Sequence, residues 1–185
     1  MLIVTCDDDF ETCCTDLHEI ATHLLDRVWR NLEPCYATLD CEPIERYVTM
    51  GNGDDGIADK LNVGINSVST SPASVVANHT LPIPMVRAEF VVRLHESGWP
   101  TVRIDGSTII APPPGEQAKA VRQSLGHAEM MYRTLLSLHS NRQLVPSTVR
   151  GCGNALLGQL TPVPPRGGVV GWTATVTVDV LWGGG

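Results

Sequence analysis

The sequence predicts the α+β class, with two helices covering one face of a mainly antiparallel sheet. Apolar residues recur at three- and four-residue steps within 17–32 and again within 116–139, which is the spacing of amphipathic helices. Two further segments, 85–95 and 169–182, alternate between apolar and polar residues, as half-buried strands do. Hairpin-like neighbouring strands, with the helical segments grouped outside the runs of strands, favour the α+β class with a mainly antiparallel sheet.

The first helix has sequence signals at both ends. Thr15 is a suitable N-cap, and Asp16 and Glu19 lie in the first turn, where the helix dipole favours acidic side chains. Pro34 is expected to end the helix, because proline lacks the N–H that the helical hydrogen bond requires.

The second helix is expected to bury one stripe of residues at helical spacing. These residues are Ala118, Val121, Leu125, Ala128, Tyr132, Leu135 and Leu138. Weaker patterns predict short strands at 36–39, 44–50 and 63–68. A further strand with glycine bends is predicted at 149–160, and the prolines and glycines of 161–168 predict a turn.

Each of the two clearest strands carries a polar face. Since two helices can cover only one face of the sheet, the polar face must meet water or another subunit. Its residues are therefore candidates for a subunit interface or for the surface of a central lumen. They are Arg87, Glu89, Arg93, Thr173, Thr175, Thr177 and Asp179.

Length and composition favour one folded domain. The chain has 185 residues, of which 43% are hydrophobic and 18% charged, enough apolar residues for a core of its own. We expect an acidic lead-in at 1–14, a single domain at 15–182 and a glycine tail at 183–185. No run reaches the roughly 20 apolar residues of a membrane span. The start also lacks the basic region of a signal peptide.

Charge is divided unevenly along the chain. Residues 1–60 contain 14 acidic and four basic side chains, whereas residues 61–185 contain six acidic and nine basic ones, so the two parts carry −10 and +3. A net charge of −7 disfavours a basic DNA-reading domain. The division is typical either of plain solvated surface or of copies that meet head to tail, acidic patch against basic patch.

Motifs for phosphate binding and catalysis are matched only in part. Residues 51–56 fit G-x-G-x-x-G, but Asp54 and Asp55 stand where an anion would dock, and with Asp59 they predict an acidic loop. His127 and Glu129 form half of a zinc-deaminase motif whose P-C-x-x-C partner is missing, which favours a helical pair on a solvated face. We therefore expect no catalytic residue and no cofactor.

One cluster leaves a small metal-binding or enzyme domain as an alternative. It consists of Cys13, Cys14, His18 and His23. Adjacent cysteines and a His-x4-His gap do not match the common structural zinc spacings. No metal site is therefore predicted, and reduced, partly buried thiols are the expected state.

The order of these features is similar to that of a known family. An amphipathic helix at 17–32 is followed by the strand 85–95, the helix 117–139 and a closing strand at 168–182. In this order the chain resembles the tail-terminator and head-to-tail connector (neck) proteins of long-tailed, siphovirus-type bacteriophages, in particular those of actinobacteriophages. The resemblance covers about residues 15–182, and the lead-in 1–14 departs from it.

The resemblance implies a structural virion protein without enzymatic activity. Such proteins form a hexameric ring at the head-proximal end of the tail, where the ring ends tail-tube polymerisation and joins the tail to the head-side neck proteins. The implied partners are further copies of the chain, the tail tube protein and the head-side stopper. Genomic DNA passes through the lumen without sequence-specific binding, no membrane is involved, and assembly takes place in the host cytoplasm.

Three alternatives to the tail terminator stay open. Another neck component, the head-to-tail stopper or the adaptor, belongs to the same structural class. A small metal-binding or enzyme domain would use the cysteine and histidine cluster described above. A monomeric, host-directed binding protein is the third.

Overall fold

The computed structural model describes residues 10–37, 44–51, 59–70, 85–97, 102–104, 108–110, 113–149, 151–166 and 169–181. The helices and strands in these ranges follow one another as α1 (Phe10–Ala37), β1 (Glu45–Met50), β2 (Lys60–Thr70), β3 (Met85–Ser97), β4 (Val102–Ile104), β5 (Thr108–Ile110), α2 (Pro114–Ser140), β6 (Cys152–Arg166) and β7 (Val169–Leu181).

Five of these strands form one sheet in the order β1-β2-β3-β7-β6. β1 and β2 are parallel, whereas the β2–β3, β3–β7 and β6–β7 pairs are antiparallel. β4 and β5 form a separate two-stranded sheet. The predicted α+β class with a mainly antiparallel sheet is therefore confirmed. The larger sheet is open and leaves β1 and β6 as its two edge strands.

The core lies between one face of the sheet and both helices. α1 packs against β1, β2 and β3, α2 packs against β6 and β7, and the two helices contact each other. Alternate residues of β3 and β7 point into this core, from Ala88 to Leu94 and from Ala174 to Val180, as their alternation predicts. Each fully buried Val, Leu or Phe side chain contributes about 1.5–3 kcal/mol to folding.

α1 is longer at both ends than the sequence predicts. It begins at Phe10, so the expected boundary of the lead-in at residue 14 falls inside the helix. It also runs through Pro34 to Ala37, because a proline in the last turn removes only one backbone hydrogen bond. Tyr36 lies in this last turn, so the strand predicted at 36–39 is wrong for its first two residues, and its last two lie outside the described residues.

β6 continues through residues for which the sequence predicts a turn. Residues 161–166, which include three prolines, extend the strand to Arg166. Its pairing with β7 is interrupted by register shifts between Cys152 and Ala155, between Leu157 and Leu160 and before Arg166. β6 is an edge strand, so one side of its backbone has no neighbouring strand to pair with. A proline, which has no N–H group to donate, is tolerated where its nitrogen faces that open side.

α2 has the predicted bounds to within two residues but a rotated buried face. The buried residues are Ser124, His127, Ala128, Met131, Leu135 and Leu138. The predicted stripe is confirmed for Ala128, Leu135 and Leu138, which are buried, while Tyr132 is half-buried. It is wrong for Ala118, Val121 and Leu125, which are exposed. On this face the Ser124 hydroxyl accepts a hydrogen bond at 3.1 Å from Nε1 of Trp172 in β7.

Neither α1 nor α2, the helices in the described part of the chain, is long and apolar enough to cross a membrane.

Candidate functional site

The seven predicted interface residues lie together on the sheet face that points away from the helices. Cross-strand register places Arg87 opposite Asp179, and Arg93 opposite Thr173. Glu89 lies opposite Thr177 in the same ladder. The structure thus brings the candidate residues into one patch on β3 and β7, as the alternation predicts.

Arg87 and Asp179 form a bidentate ion pair within this patch. The Nε and Nη2 atoms of Arg87 donate to the two carboxylate oxygens of Asp179 at 3.0 and 3.1 Å. The side chain of Asp179 is only 3% exposed, whereas that of Arg87 is 36% exposed. These hydrogen bonds raise the pKa of Arg87 above its usual value. The carboxylate of Asp179 is therefore engaged within the chain rather than presented to a partner.

Arg93 is also buried within the chain. It is 6% exposed, and its Nη2 donates to the carbonyl oxygen of Gly51 at 3.4 Å. The guanidinium lies against Gly64 of the neighbouring strand, where a Cβ atom would clash with Nη1. Lys60, Asn62 and His95 surround the same end of the face and are buried as well. The expectation that the polar face meets water or a subunit is therefore wrong for Arg93 and Asp179.

The remaining members of the patch stay partly accessible. Thr173, Thr175 and Thr177 are each half-buried, and so is Glu89. The Glu89 carboxylate accepts a hydrogen bond from Asn66 Nδ2 at 2.5 Å. These four side chains, together with the partly exposed side chain of Arg87, are the part of the predicted patch that a neighbouring molecule can reach.

Of the predicted acidic loop, only Asp59 lies among the described residues; Asp54 and Asp55 lie outside them. Asp59 adopts a positive φ of 57°. Its two carboxylate oxygens accept hydrogen bonds from the Ser97 N–H at 2.7 Å and from the Ser97 hydroxyl at 2.5 Å. Asp59 therefore holds the start of β2 to the end of β3 rather than forming part of an acidic surface.

The alternative metal cluster is spread along α1. Cys13 and Cys14 belong to its first turns, and their side chains lie outside the described ones. His18 is exposed, while His23 Nε2 lies 2.9 Å from the carbonyl oxygen of Gln143. Two residues five positions apart on a helix point about 140° apart. In the described part of the chain, no three His, Cys, Asp or Glu side chains are grouped to hold a metal ion.

A buried polar network that the sequence patterns do not predict joins both helices to the sheet. The Tyr36 hydroxyl of α1 donates to Glu96 Oε1 of β3 at 2.5 Å, and His127 Nδ1 of α2 lies 2.6 Å from the same oxygen. The ring centroids of Tyr36 and His127 are 4.6 Å apart. Ser124 links the network to Trp172 of β7 through the hydrogen bond described above.

The surroundings of Glu96 favour its charged form. Burial alone would raise the pKa of this carboxyl group. The hydrogen bonds of His127 and Tyr36, with a smaller contribution from Ser124, outweigh burial and lower the pKa below its usual value of 4.5. A carboxylate with these donors is suited to hold α1 and α2 in fixed positions on the sheet.

His127 corrects the expectation of a solvated helical pair. It is 6% exposed, whereas Glu129 is exposed and lies 3.7 Å from Arg133 on the helix surface. Two signals in the sequence point to this outcome. His127 shares the helical spacing of Met131 and Leu138, and Glu96 extends the inward alternation of β3.

Large apolar side chains are exposed on opposite sides of the molecule. On α2, Val121, Leu125 and Leu136 are 40–46% exposed at helical spacing, and we call these three residues the α2 stripe. Leu156 on the edge strand β6 is 54% exposed. Met50 on the opposite edge strand β1 is 75% exposed. Exposed apolar groups of this kind are typical of contact surfaces when they adjoin one another.

The fold also sorts charge between these two sides. α1 and β1 together carry six acidic and three basic side chains, a net charge of −3. Residues 114–149 and 151–166, which form α2, its following turn and β6, carry two acidic and five basic ones, a net charge of +3. We refer to the first side as the β1 flank and to the second as the β6 flank.

No protein-family model matches the chain, and no curated protein is found to be similar to it.

Proposed function

We propose that the chain is a structural virion protein whose copies form a hexameric ring at the head-proximal end of a phage tail. In this role the ring ends tail-tube polymerisation and joins the tail to the head-side neck proteins, while DNA passes through the opening. The observation that carries the proposal is the pair of unlike flanks at opposite edges of one open sheet.

A closed ring requires two different, complementary surfaces on each subunit. The β1 flank is acidic and exposes Met50, and the β6 flank is basic and exposes the α2 stripe. Contact between the β1 flank of one copy and the β6 flank of the next would pair opposite charges and cover apolar groups on both sides. After each contact, one β1 flank and one β6 flank remain free at the two ends of the assembly. Further copies can therefore add through the same contact until the ring closes.

Both edge strands are protected against uncontrolled pairing. β1 is only six residues long and begins with the exposed charged residues Glu45 and Arg46. β6 contains three prolines in its last five residues. Short, charged or proline-containing edges limit the addition of further strands. Copies are therefore expected to associate through the side chains of the flanks, in a ring with a fixed number of subunits. Continuous pairing of edge strands from copy to copy is disfavoured.

Sedimentation velocity or native mass spectrometry of the purified chain tests this proposal. We expect a species of six copies, either alone or on addition of tail tubes. Leu125→Asp places a charge in the α2 stripe and is expected to abolish this species. Met130→Asp is the matched control, since Met130 is 36% exposed on the same helix but faces about 140° away from Leu125.

The two variants distinguish the outcomes. Loss of the hexamer with Leu125→Asp but not with Met130→Asp supports the β6 flank as a subunit contact. A chain that stays monomeric even with tail tubes contradicts the proposal. A ring that binds the head-side connector but leaves tube length unchanged assigns the chain to the stopper or adaptor instead.

A further inference from the structure

A polar groove of about 230 Å³ lies on the seam between α1 and α2. α1 contributes Arg27, Arg30 and Asn31 to its lining, and α2 contributes Thr134, Ser137 and Leu138. In each helix the three residues stand at positions i, i+3 and i+4, so they share one face of that helix. Leu138 is buried, and the other five lining residues carry hydrogen-bonding groups.

The groove carries positive charge and has no acidic residue in its lining. Asp26 and Glu33, the acidic residues of this part of α1, lie about 100° and 120° around the helix from Arg27. Among the described residues, neither Arg27 nor Arg30 forms an ion pair with a carboxylate. The charge of both guanidinium groups is therefore available to an anion in the groove.

Gln143 fixes the position of Arg27 at this groove. Its side-chain oxygen accepts a hydrogen bond from Arg27 Nη2 at 3.4 Å, and its backbone N–H donates to the Leu138 carbonyl oxygen at 2.7 Å. The carbonyl oxygen of Gln143 also lies 2.9 Å from His23 Nε2. Because an amide is neutral, this contact orients the guanidinium group without cancelling its charge.

The two hydroxyl groups of the groove are committed in opposite ways. The Thr134 hydroxyl donates to the Met130 carbonyl oxygen at 2.9 Å, so toward the groove it offers an acceptor. The Ser137 hydroxyl accepts from Asn141 Nδ2 at 3.4 Å, so its own proton can be donated to a ligand. A ligand that satisfies this lining accepts hydrogen bonds from the arginines and Ser137 and donates one to Thr134.

We propose that the groove binds inorganic hydrogen phosphate, HPO4²⁻, between the two helices. The guanidinium groups donate to its charged oxygens in charge-assisted hydrogen bonds, which are about twice as strong as neutral ones. Asn31 Nδ2 donates one N–H to the Arg27 carbonyl oxygen at 3.3 Å and has a second for the ion. The O–H group of the ion donates to Thr134. This inference does not rest on ring formation.

Equilibrium dialysis of the full-length chain against radiolabelled phosphate tests the site, at constant ionic strength and about pH 8, where the doubly charged ion prevails. Arg27→Gln and Arg30→Gln should each raise the dissociation constant about tenfold or more. Arg122→Gln is the control, because Arg122 is exposed on α2 about 18 Å along the helix from Thr134. At that distance its charge is screened, so the dissociation constant should change by less than about twofold.

No measurable binding of phosphate to the wild-type chain overturns the proposal. Equal weakening by all three arginine variants overturns it as well, because the ion would then respond to net charge rather than to this groove. Circular dichroism of each variant verifies that the comparison is made on folded protein.

Competition by sulfate tests the identity of the ion. Sulfate is also a tetrahedral dianion but has no O–H to donate, so it should displace labelled phosphate about tenfold less effectively than unlabelled phosphate does. Thr134→Val keeps the shape of the side chain but removes the acceptor, and this preference should disappear. Equal competition by the two ions in the wild type, or an unchanged preference in Thr134→Val, contradicts the assignment to hydrogen phosphate.

Discussion

Glu96 and His127 tie β3 to α2 in the interior of the protein. His127 Nδ1 lies 2.6 Å from Glu96 Oε1, and because a carboxylate can only accept, Nδ1 carries the proton. Both side chains are less than 10% exposed. With the Tyr36 hydroxyl bonded to the same oxygen, one carboxylate positions the last turn of α1 and the middle of α2 relative to the sheet.

Removal of this carboxylate is expected to destabilise the fold strongly. Glu96→Ala leaves the buried donors of His127 and Tyr36 without their acceptor, so we expect a loss of about 2–4 kcal/mol in the free energy of unfolding. Urea denaturation measures it. Glu129→Ala on the exposed face of α2 is the control and should stay within about 0.5 kcal/mol of the wild type. Equal effects of the two variants would show that the network does not anchor the helices.

The lowered pKa of Glu96 predicts a loss of stability in acid. Its pKa is below the usual value of 4.5 in the folded protein, so the unfolded chain takes up a proton more readily as the pH falls. The stabilisation is present above the unfolded-state pKa and disappears as the pH falls through the folded-state pKa. The stability difference between wild type and Glu96→Gln should thus be constant from about pH 7 to 5 and shrink below about 4.5. A difference that is the same at pH 7 and pH 3 would contradict this assignment.

Two glycines should respond in opposite directions to alanine. A Cβ atom at Gly64 would clash with Arg93 Nη1 and lie 2.7 Å from the carbonyl oxygen of Gly51. Gly64→Ala is therefore expected to cost about 1–3 kcal/mol. Gly126 lies in α2, where a Cβ atom would find open space within 4 Å, so Gly126→Ala should add about 0.5–1 kcal/mol. Thermal denaturation of both variants checks this, and a stabilising Gly64→Ala would refute the placement of Arg93.

Contact between oppositely charged flanks predicts that assembly weakens in salt. The Debye length falls from about 10 Å at an ionic strength of 0.1 M to about 3 Å at 1 M. The attraction between the flanks is then screened, so a higher protein concentration should be needed to keep the hexamer assembled in strong salt. Sedimentation velocity across this range measures the shift. Assembly that strengthens steadily with salt would mean that the apolar stripe acts alone and that the charge division of the flanks has no part in it.

The clearest strands could be predicted because their pattern is local. In β3 and β7 the inward series from Ala88 and from Ala174 follows directly from alternation, which requires no knowledge of the partner strand. The continuation of α1 through Pro34 and of β6 through its prolines could not be predicted in this way. Proline is tolerated there because Pro34 lies in the last turn of a helix and β6 lies at the edge of the sheet, and neither position can be read from the local pattern.

The contacts among the candidate interface residues could be predicted only in part, for a similar reason. Alternation places Arg93 and Asp179 on the correct face but does not reveal that Asp179 lies opposite Arg87 or that Arg93 lies over Gly64. Those contacts depend on register between distant segments. Helical spacing likewise places His127 on a buried face, whereas the acceptor that makes its burial tolerable comes from a different element.

Electron microscopy of tail tubes mixed with the purified chain shows whether its copies form a ring at the tube end. We predict rings of six subunits seated on one end of each tube, tubes that stop growing once the ring is bound, and an opening wide enough for duplex DNA. Tubes that continue to grow at both ends with no added density, while the chain stays monomeric beside them, would rule out the proposed ring.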